Sequence, residues 1–243
     1  MTRIAILSDI HGNLPALEAV VADAEARGCT GFINLGDILS GPLWPAETAD
    51  WLMPRGWPTI AGNHERQVLT LPRERMGLTD AFTRPTLSQA QLDWMAALPV
   101  TLELDGLFLC HGTPASDHEH FLETVEAEGI RAASMAEVEA RLGDRSEALI
   151  LCGHSHIPRL VRLAEGRTVA NPGSVGLQAF DDDHPVPYRV EIGDPRARYA
   201  IVEAGEVAFH AVDYDHHVAA AKAAREGRDD WAEALRSGRM PQP

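Results

Sequence analysis

The 243-residue chain has only three cysteines, and none of them belongs to a C-x-x-C pair of the kind that binds a metal. Their odd number and apolar surroundings indicate reduced, mostly buried thiols rather than a disulfide framework. A chain of this length can bury a core that is stable without disulfides. The sequence therefore excludes the small secreted scaffolds that depend on cross-links.

Long apolar runs are also absent. No stretch approaches the ~18 apolar residues that a membrane-spanning helix needs. The short apolar run near the start, at residues 4–7, cannot serve as the hydrophobic region of a signal peptide, and no cleavage site of small residues follows it. We therefore expect a cytoplasmic protein that does not bind membranes.

Positive charge is scarce, since 21 Lys and Arg face 36 Asp and Glu for a net charge of −15. Proteins that bind nucleic acids in general, or anionic membranes, need a basic surface, so both classes are disfavoured. An anionic substrate is still compatible with this charge, because bound metal ions reverse the local field.

What the chain does contain is a set of motifs rich in metal-ligand side chains. In order they are SDIHG (residues 8–12), GD (36–37), GNHE (62–65), CHG (110–112) and GHSH (153–156). They supply two Asp, one Asn and five His, a mixture that suits a hard or borderline divalent metal. These are too many ligands for one tetrahedral site, whereas two metals that share a bridging carboxylate would use nearly all of them. Such a pair can bind a phosphoryl group and form hydroxide at neutral pH, which favours a hydrolase of phosphate esters.

The motifs coincide with the ends of predicted strands. Strands predicted at residues 4–7, 32–35 and 57–60 alternate with helical patterns, which is typical of a layered α/β fold. Ligand sites of open α/β sheets lie at the carboxyl ends of the strands, where loops can converge. The candidate ligands near such ends are Asp9, Asp37, Asn63, His111 and His154.

Beyond these motifs the pattern predicts hairpins around Asp105-Gly106 and around Gly205. The acidic stretch at 119–142 is predicted to be helical, with a break at Gly129, and it could form a small cap over the site. We expect a single domain over residues 1–243, with a small helical cap at about 114–146 and a polar, Ala-rich helical tail from about residue 216.

In combination, the motifs resemble those of the calcineurin-like metallophosphoesterase superfamily, whose pattern is D-x-H, GD, GNH[ED], H-G and GHxH. The segments NPGSVG (171–176) and GDPRARYA (193–200) resemble the small bacterial phosphodiesterase branch of that superfamily. This resemblance implies a four-layer α/β/β/α sandwich. It also implies hydrolysis of phosphodiesters or small nucleotides at a dinuclear metal centre, by an activated hydroxide.

The resemblance further implies a role for each motif residue. One metal would be held by Asp9, His11 and His156, the other by Asn63, His111 and His154, and Asp37 would bridge the two. His64 would not be a ligand but would contact the phosphate and protonate the leaving group, a role that the near-neutral pKa of imidazole suits. The competing interpretation of His64 is a solvent-facing histidine at a helix start. Mn²⁺ is the favoured metal, with Fe, Ni, Co or Zn as alternatives.

The departures from the superfamily pattern bear on the substrate. Its protein Ser/Thr phosphatases carry GDxxDRG and RGNHE, where this chain has GDILSG (36–41) and AGNHE (61–65). Ser40 thus replaces the carboxylate that would orient His64, and both phosphate-binding arginines are absent. A dianionic monoester gains most from arginine forks, so a small phosphodiester or nucleotide is the expected substrate.

Other interpretations stay open at this point. The chain could be a phosphomonoesterase or a dinucleoside-polyphosphate hydrolase. It could also be a non-catalytic scaffold on the same fold, as the retromer subunit that resembles this family is, although that interpretation requires a degraded ligand set. Arg66 is interpreted as an exposed helix residue, and His118, Glu119 and His120 as polar loop residues.

Overall fold

The computed structural model describes residues 3–242. Residues 1, 2 and 243, at the two ends of the expected single domain, lie outside this range. None of the helices within it is both long enough and apolar enough to cross a membrane.

The strands of residues 3–242 number thirteen. They are β1 (Ile4–Leu7), β2 (Gly31–Asn34), β3 (Thr101–Leu104), β4 (Leu107–Cys110), β5 (Glu123–Glu126), β6 (Gly129–Ala132), β7 (Leu149–Leu151), β8 (Arg159–Arg162), β9 (Thr168–Asn171), β10 (Ala179–Asp182), β11 (Tyr188–Glu191), β12 (Ala197–Glu203) and β13 (Glu206–Val212).

Eight α-helices accompany these strands in the described part of the chain. They are α1 (Leu14–Ala26), α2 (Pro45–Leu52), α3 (Asn63–Thr70), α4 (Leu78–Thr83), α5 (Gln89–Ala96), α6 (Met135–Leu142), α7 (His216–Arg225) and α8 (Asp229–Ser237). Short 3₁₀ segments cover Met53–Arg55, Arg73–Arg75 and Arg84–Thr86.

Two mixed sheets form the centre of the fold. The first has four strands in the order β13-β12-β1-β2, and the second has five in the order β3-β4-β7-β9-β8. Within them, β1 and β2 run parallel, as do β4, β7 and β9. These parallel strands place the loops that follow them along common edges, where the motifs lie.

Alternation of side chains along the strands shows how the layers pack. In β1, Ala5 packs with residues of helices α1, α2 and α5, whereas Ile6 packs against the second sheet. In β4, Leu109 faces the first sheet and Phe108 packs outward with residues of α6. Successive side chains of a strand point to opposite faces, so each sheet contributes to two cores. The result is helix, sheet, sheet, helix, which confirms the predicted α/β/β/α sandwich.

Helix α5 begins with a capping box, in which the Ser88 hydroxyl accepts from the Gln91 amide and the Gln91 side chain accepts from the Ser88 amide. Two local predictions are confirmed. The β3–β4 turn has positive φ at both Asp105 and Gly106, as a two-residue hairpin turn requires. All three cysteines are free and buried.

The expected strand at residues 57–60 is reduced to a single bridge between Asn34 and Thr59. Pro58 has no N–H to donate to a ladder, which limits the pairing of this segment. The Pro58 carbonyl still accepts from the Asn34 amide at 3.0 Å, so the segment stays attached to the edge of β2.

The prediction of a helix over residues 119–142 is wrong for its first part. Strands β5 and β6 pair there as a hairpin, and Gly129 adopts a φ of 118° at its turn. The composition did not indicate these strands, because the short pair Thr124-Val125 stands between two glutamates in an acidic stretch. The helix begins only at α6, where Ser134 and Glu137 form a capping box, and α6 packs on the outer face of the second sheet.

The C-terminal tail is helical, as predicted, but it is neither one helix nor polar throughout. Gly227, with a φ of 74°, separates α7 from α8. Buried alanines of α7, among them Ala219 and Ala223, pack in one cluster with Trp231 and Leu235 of α8. The spacing of these small residues in α7 produces an apolar face that a composition-based interpretation overlooks.

Candidate metal centre

The candidate ligands lie in loops at the carboxyl ends of parallel strands, or of the segment at 57–60 that forms a parallel bridge with β2. One loop follows β1, one follows β2, one begins α3, and two follow β4 and β7. All seven predicted ligand residues are less than a tenth exposed. These are Asp9, His11, Asp37, Asn63, His111, His154 and His156. Convergence of the strand ends has brought the polar side chains together inside the protein.

Asp9, His11 and His156 form a first group, in which one potential ligand atom of each lies within 4.8 Å of the others. The Nε2 atoms of His11 and His156 are 3.1 Å apart. The Asp9 Oδ1 atom lies 3.4 Å from Nε2 of His156. Such a group of one carboxylate and two imidazoles is a ligand set for a divalent metal.

Asp37, His111 and His154 form a second group of the same kind. Oδ2 of Asp37 is 3.0 Å from Nε2 of His111, and that nitrogen is 3.9 Å from Oδ1 of Asp9. The two groups are therefore neighbours. Asn63 lines the same cavity, and its buried Oδ1 has no hydrogen-bond partner within residues 3–242.

The histidines are held so that each presents one ring nitrogen to the cluster. A carbonyl oxygen can only accept, so the ring nitrogen that faces it carries the proton and the other nitrogen keeps its lone pair. The pairs, at 2.7 Å each, are His11 Nδ1 with Ser40 O, His111 Nδ1 with Leu35 O, and His156 Nδ1 with Leu177 O. His154 is reversed, because its Nε2 donates to the His118 carbonyl at 3.1 Å.

Electrostatics also fit a cation at this place. Burial, followed by repulsion from His156, lowers the pKa of His11 to about 4, so this imidazole is neutral. For His111, burial acts to lower the pKa, but Asp37 and Asp9 outweigh it and raise the pKa to about 10. The buried carboxylates thus attract a positive charge to the point where the ligand atoms meet. Together with the unpartnered Asn63 oxygen, this supports a fit between these residues and bound divalent metal.

Backbone conformation singles out the same residues. Seven non-glycine residues of the described chain have positive φ, and two of these, Asp105 and Ala204, lie in hairpin turns. The other five are Asp9, His11, Asp37, His154 and His156, with φ between 52° and 68°. A non-glycine residue in this region costs free energy and persists where surrounding contacts enforce it, commonly at functional sites.

Glu65 holds two of the loops in register. Its buried carboxylate accepts from the amides of Asp37 at 2.8 Å, Ile38 at 2.9 Å and Gly62 at 2.8 Å. It therefore joins the GD loop to the GNHE loop. The sequence predicts no role for Glu65, and its position directly after His64 is the one signal that points to it.

His64 is oriented by a carboxylate, so the prediction that Ser40 leaves it without one is wrong. Its Nδ1 lies 2.7 Å from Oδ1 of Asp80, which comes from α4 and is almost fully buried. Burial acts to lower the pKa of His64, but Asp37 and Asp80 outweigh it and raise the pKa to about 9. Asp80 was missed because it lies outside every motif and meets His64 only through the fold.

A cavity of about 480 Å³ gives access to both groups and to His64. Part of its wall comes from β10 and from α8, including Phe180 and Trp231. The Trp231 ring packs edge-on against His11, with ring centroids 5.8 Å apart. The C-terminal helices therefore contribute directly to the site.

Arg66 and His120 both contact other side chains outside the two ligand groups. The exposed Arg66 side chain forms a two-point ion pair with Asp117, at 2.6 and 2.9 Å. His120 contacts the Tyr188 hydroxyl at 2.9 Å and stacks on His154. In residues 3–242 neither His118, Glu119 nor His120 belongs to a third group of metal-ligand side chains.

The fold and this cluster define a class of protein. Residues 2–192 match the sequence model of the calcineurin-like phosphoesterase superfamily domain, and the chain belongs to that superfamily.

Individual relatives refine this placement. The chain is 26% identical to the uncharacterized protein MJ0912 of Methanocaldococcus jannaschii over 246 residues, which covers 95% of each protein. It is 29% identical to the phosphodiesterase YfcE of Escherichia coli over 190 residues, which covers 73% of this chain and 81% of YfcE. A metallophosphoesterase from Sphaerobacter thermophilus has a similar structure, with a TM-score of 0.77 at 25% identity, over 98% of this chain and 99% of that one.

A substitution at Gly62 tests whether the GNHE loop must lie in direct contact with Asp37 for metal to bind. A Cβ atom there would lie 2.2 Å from Oδ1 of Asp37 and 2.7 Å from its amide nitrogen. We predict that Gly62→Ala displaces Asp37 and lowers the Mn²⁺ content after metal loading, measured by elemental analysis. Gly77→Ala, where a Cβ meets nothing within 4 Å, is the matched control. Full metal content in a folded Gly62→Ala variant would contradict the prediction.

Proposed function

We propose that this chain is a metal-dependent phosphoesterase that hydrolyses phosphodiesters or small nucleotide substrates. The observation that carries the proposal is the pair of adjacent buried ligand groups beside His64, in one open cavity. Burying several carboxylates and imidazoles together is costly unless a bound cation balances their charge.

In this proposal Asp9, His11 and His156 hold one divalent metal. Asn63, His111 and His154 hold the second, and Asp37 bridges them. Two such cations, when bound, supply an activated hydroxide and neutralise charge on the phosphoryl oxygens. Mn²⁺ is the metal we favour, because mixed carboxylate, carboxamide and imidazole ligation suits it.

His64 is the proposed general acid. Its Nδ1 is occupied by Asp80, so Nε2 is the nitrogen available to substrate in the cavity. The attacking oxygen forms a bond to phosphorus while the bond to the leaving oxygen breaks. The leaving oxygen keeps the bonding electron pair and takes the proton from Nε2.

The charge of the cavity supports a diester over a monoester. Apart from the candidate ligands, its walls carry Asp181, Asp182 and Asp230 against Arg75 and Arg228. Arg228 is itself paired with Asp230. A dianionic monoester is repelled more strongly by these carboxylates than a singly charged diester.

The name of the relative YfcE, a phosphodiesterase, supports the same substrate class. A phosphomonoesterase or dinucleoside-polyphosphate hydrolase remains the alternative, and a substrate panel separates these activities. The complete ligand set argues against a non-catalytic scaffold, which would not need His64 and both ligand groups.

The bridging role of Asp37 predicts that one substitution affects both metals. We expect Asp37→Ala to hold fewer than two metals per chain and to lose most activity, because the shared ligand is gone. Elemental analysis and a diester assay measure the two effects, with exposed Asp144→Ala as the matched control. Two metals per chain with near-normal turnover would show that Asp37 is not the bridge.

For His64, we predict that His64→Ala retains metal but reduces kcat by about 10²- to 10⁴-fold, the usual size of a general-acid contribution. The loss should shrink for p-nitrophenolate, a leaving group that needs little protonation. The exposed His217→Ala variant serves as control. Equal losses of kcat for good and poor leaving groups would show that His64 binds the phosphate and does not act as the general acid.

Substrate class is tested with two esters of p-nitrophenol. We predict that the rate enhancement for bis-p-nitrophenyl phosphate exceeds that for p-nitrophenyl phosphate, with Mn²⁺ supplied to both. Each kcat/KM must be divided by the rate of its own uncatalysed reaction, because the intrinsic reactivities differ. A larger enhancement for the monoester would overturn the diesterase assignment and leave the metal centre intact.

A further inference from the structure

We infer that Asp80 is the positioning residue of His64, and that helix α4 delivers it in place of the carboxylate that the GDILSG motif lacks. The inference rests on the proposed function, since it concerns how the proposed acid is held. It assigns a role in the site to a helix that contains none of the motif residues.

The Asp80 carboxylate is buried and is held by two hydrogen-bond donors. Its carboxylate is 1% exposed, and Oδ1 is 2.7 Å from Nδ1 of His64. The Ser40 hydroxyl donates to the same oxygen at 2.5 Å. One turn further along α4, the Thr83 hydroxyl accepts from the Gly41 amide at 3.1 Å. Helix α4 is thus attached to residues 40 and 41 at two consecutive points.

The contact determines which His64 nitrogen can act on substrate. The Asp80 carboxylate accepts a hydrogen bond from Nδ1–H, so the ring cannot rotate freely and Nε2 stays available to the cavity. Removing the outer hydrogen-bond partner of a metal-bound histidine typically costs about 10- to 100-fold in metal affinity or activity, and we expect a loss of the same order for the His64 partner. After proton transfer from Nε2, the neutral ring keeps its proton on Nδ1 and continues to donate a hydrogen bond to Asp80.

Ser40 connects this pair to the metal centre. Its backbone carbonyl accepts from His11 Nδ1 at 2.7 Å, while its hydroxyl donates to Asp80. Ser40, which stands where the superfamily pattern has a carboxylate, therefore helps to align Asp80, the carboxylate that contacts His64 instead. Ser40→Ala removes only the hydroxyl and leaves the carbonyl contact to His11 in place, so it tests this link without removing the ligand contact.

The rival explanation is that Asp80 only stabilises the packing of α4. The two roles differ once His64 is absent. A residue that acts through His64 has no further effect in a His64→Ala background, whereas a structural residue lowers activity by a similar factor in both backgrounds.

The kinetic experiment compares His64→Ala, Asp80→Ala and their double variant, all loaded with Mn²⁺. The substrates are the p-nitrophenyl and phenyl esters of thymidine 5′-phosphate, which differ in leaving group alone. We expect Asp80→Ala to lower kcat about 10- to 100-fold for the phenyl ester, less for the p-nitrophenyl ester, with little change in KM. The double variant should match His64→Ala, and Ser40→Ala should show a smaller loss. Losses that multiply in the double variant would overturn the inference.

A second readout does not depend on activity. Long-range ¹H–¹⁵N correlation spectra, recorded at a pH at which the His64 ring is neutral, report which of its two nitrogens carries the proton. In the wild type we expect a protonated Nδ1 on His64, and in Asp80→Ala a mixture of tautomers. The exposed Asp93→Ala variant on α5 is the matched control and should leave the His64 signals unchanged.

The two readouts separate failure of this inference from failure of the proposed function. If His64 loses its fixed tautomer in Asp80→Ala but no phosphate ester is hydrolysed by the wild type, positioning by Asp80 stands and the proposed function fails. If esters are hydrolysed but the His64 tautomer is the same in both proteins, the inference is overturned and the proposed function survives.

Discussion

The structure is organised around two carboxylates, Asp9 and Asp37, buried side by side at the ends of parallel strands β1 and β2. Burying charge away from water is costly unless the charge is paired and hydrogen-bonded. Asp9 accepts from the His154 amide and Asp37 from the His64 amide, and imidazoles surround both. The loops at this edge of the sheets are arranged so that the two carboxylates and the surrounding imidazoles meet at one point.

Close approach of the loops follows from that requirement. At Gly153 a Cβ would lie 2.0 Å from the Ser8 hydroxyl oxygen, so the loop after β7 can reach the loop after β1 only without a side chain. Five candidate ligands adopt left-handed backbone conformations in the same place. The buried cores on both faces of each sheet supply the contacts that keep this strained arrangement in place.

Hydrogen bonds from the surrounding backbone and side chains then orient the clustered polar groups for a reaction. Backbone carbonyls select the tautomer of the histidines, and Glu65 ties two loops together through three amide groups. The C-terminal helices close one side of the cavity with Trp231. In consequence the site draws on nearly the whole length of the chain, from β1 to α8.

The four-layer sandwich was implied by the resemblance to the superfamily, whereas the sequence by itself determined the alternation of strands and helices in the first part of the chain and the residue types at the strand ends. These depend on local patterns: alternation along a strand, Asp-Gly in a turn, and Asp or His directly after an apolar run. Tertiary structure alone decided the tautomers of the histidines. His111 and His156 are oriented by the backbone carbonyls of Leu35 and Leu177, and because every residue has such a carbonyl, the sequence gives no sign of which one will be used. It also decided that residues 123–132 form a hairpin and that Asp80 meets His64, because both outcomes depend on which distant segments the packing brings together.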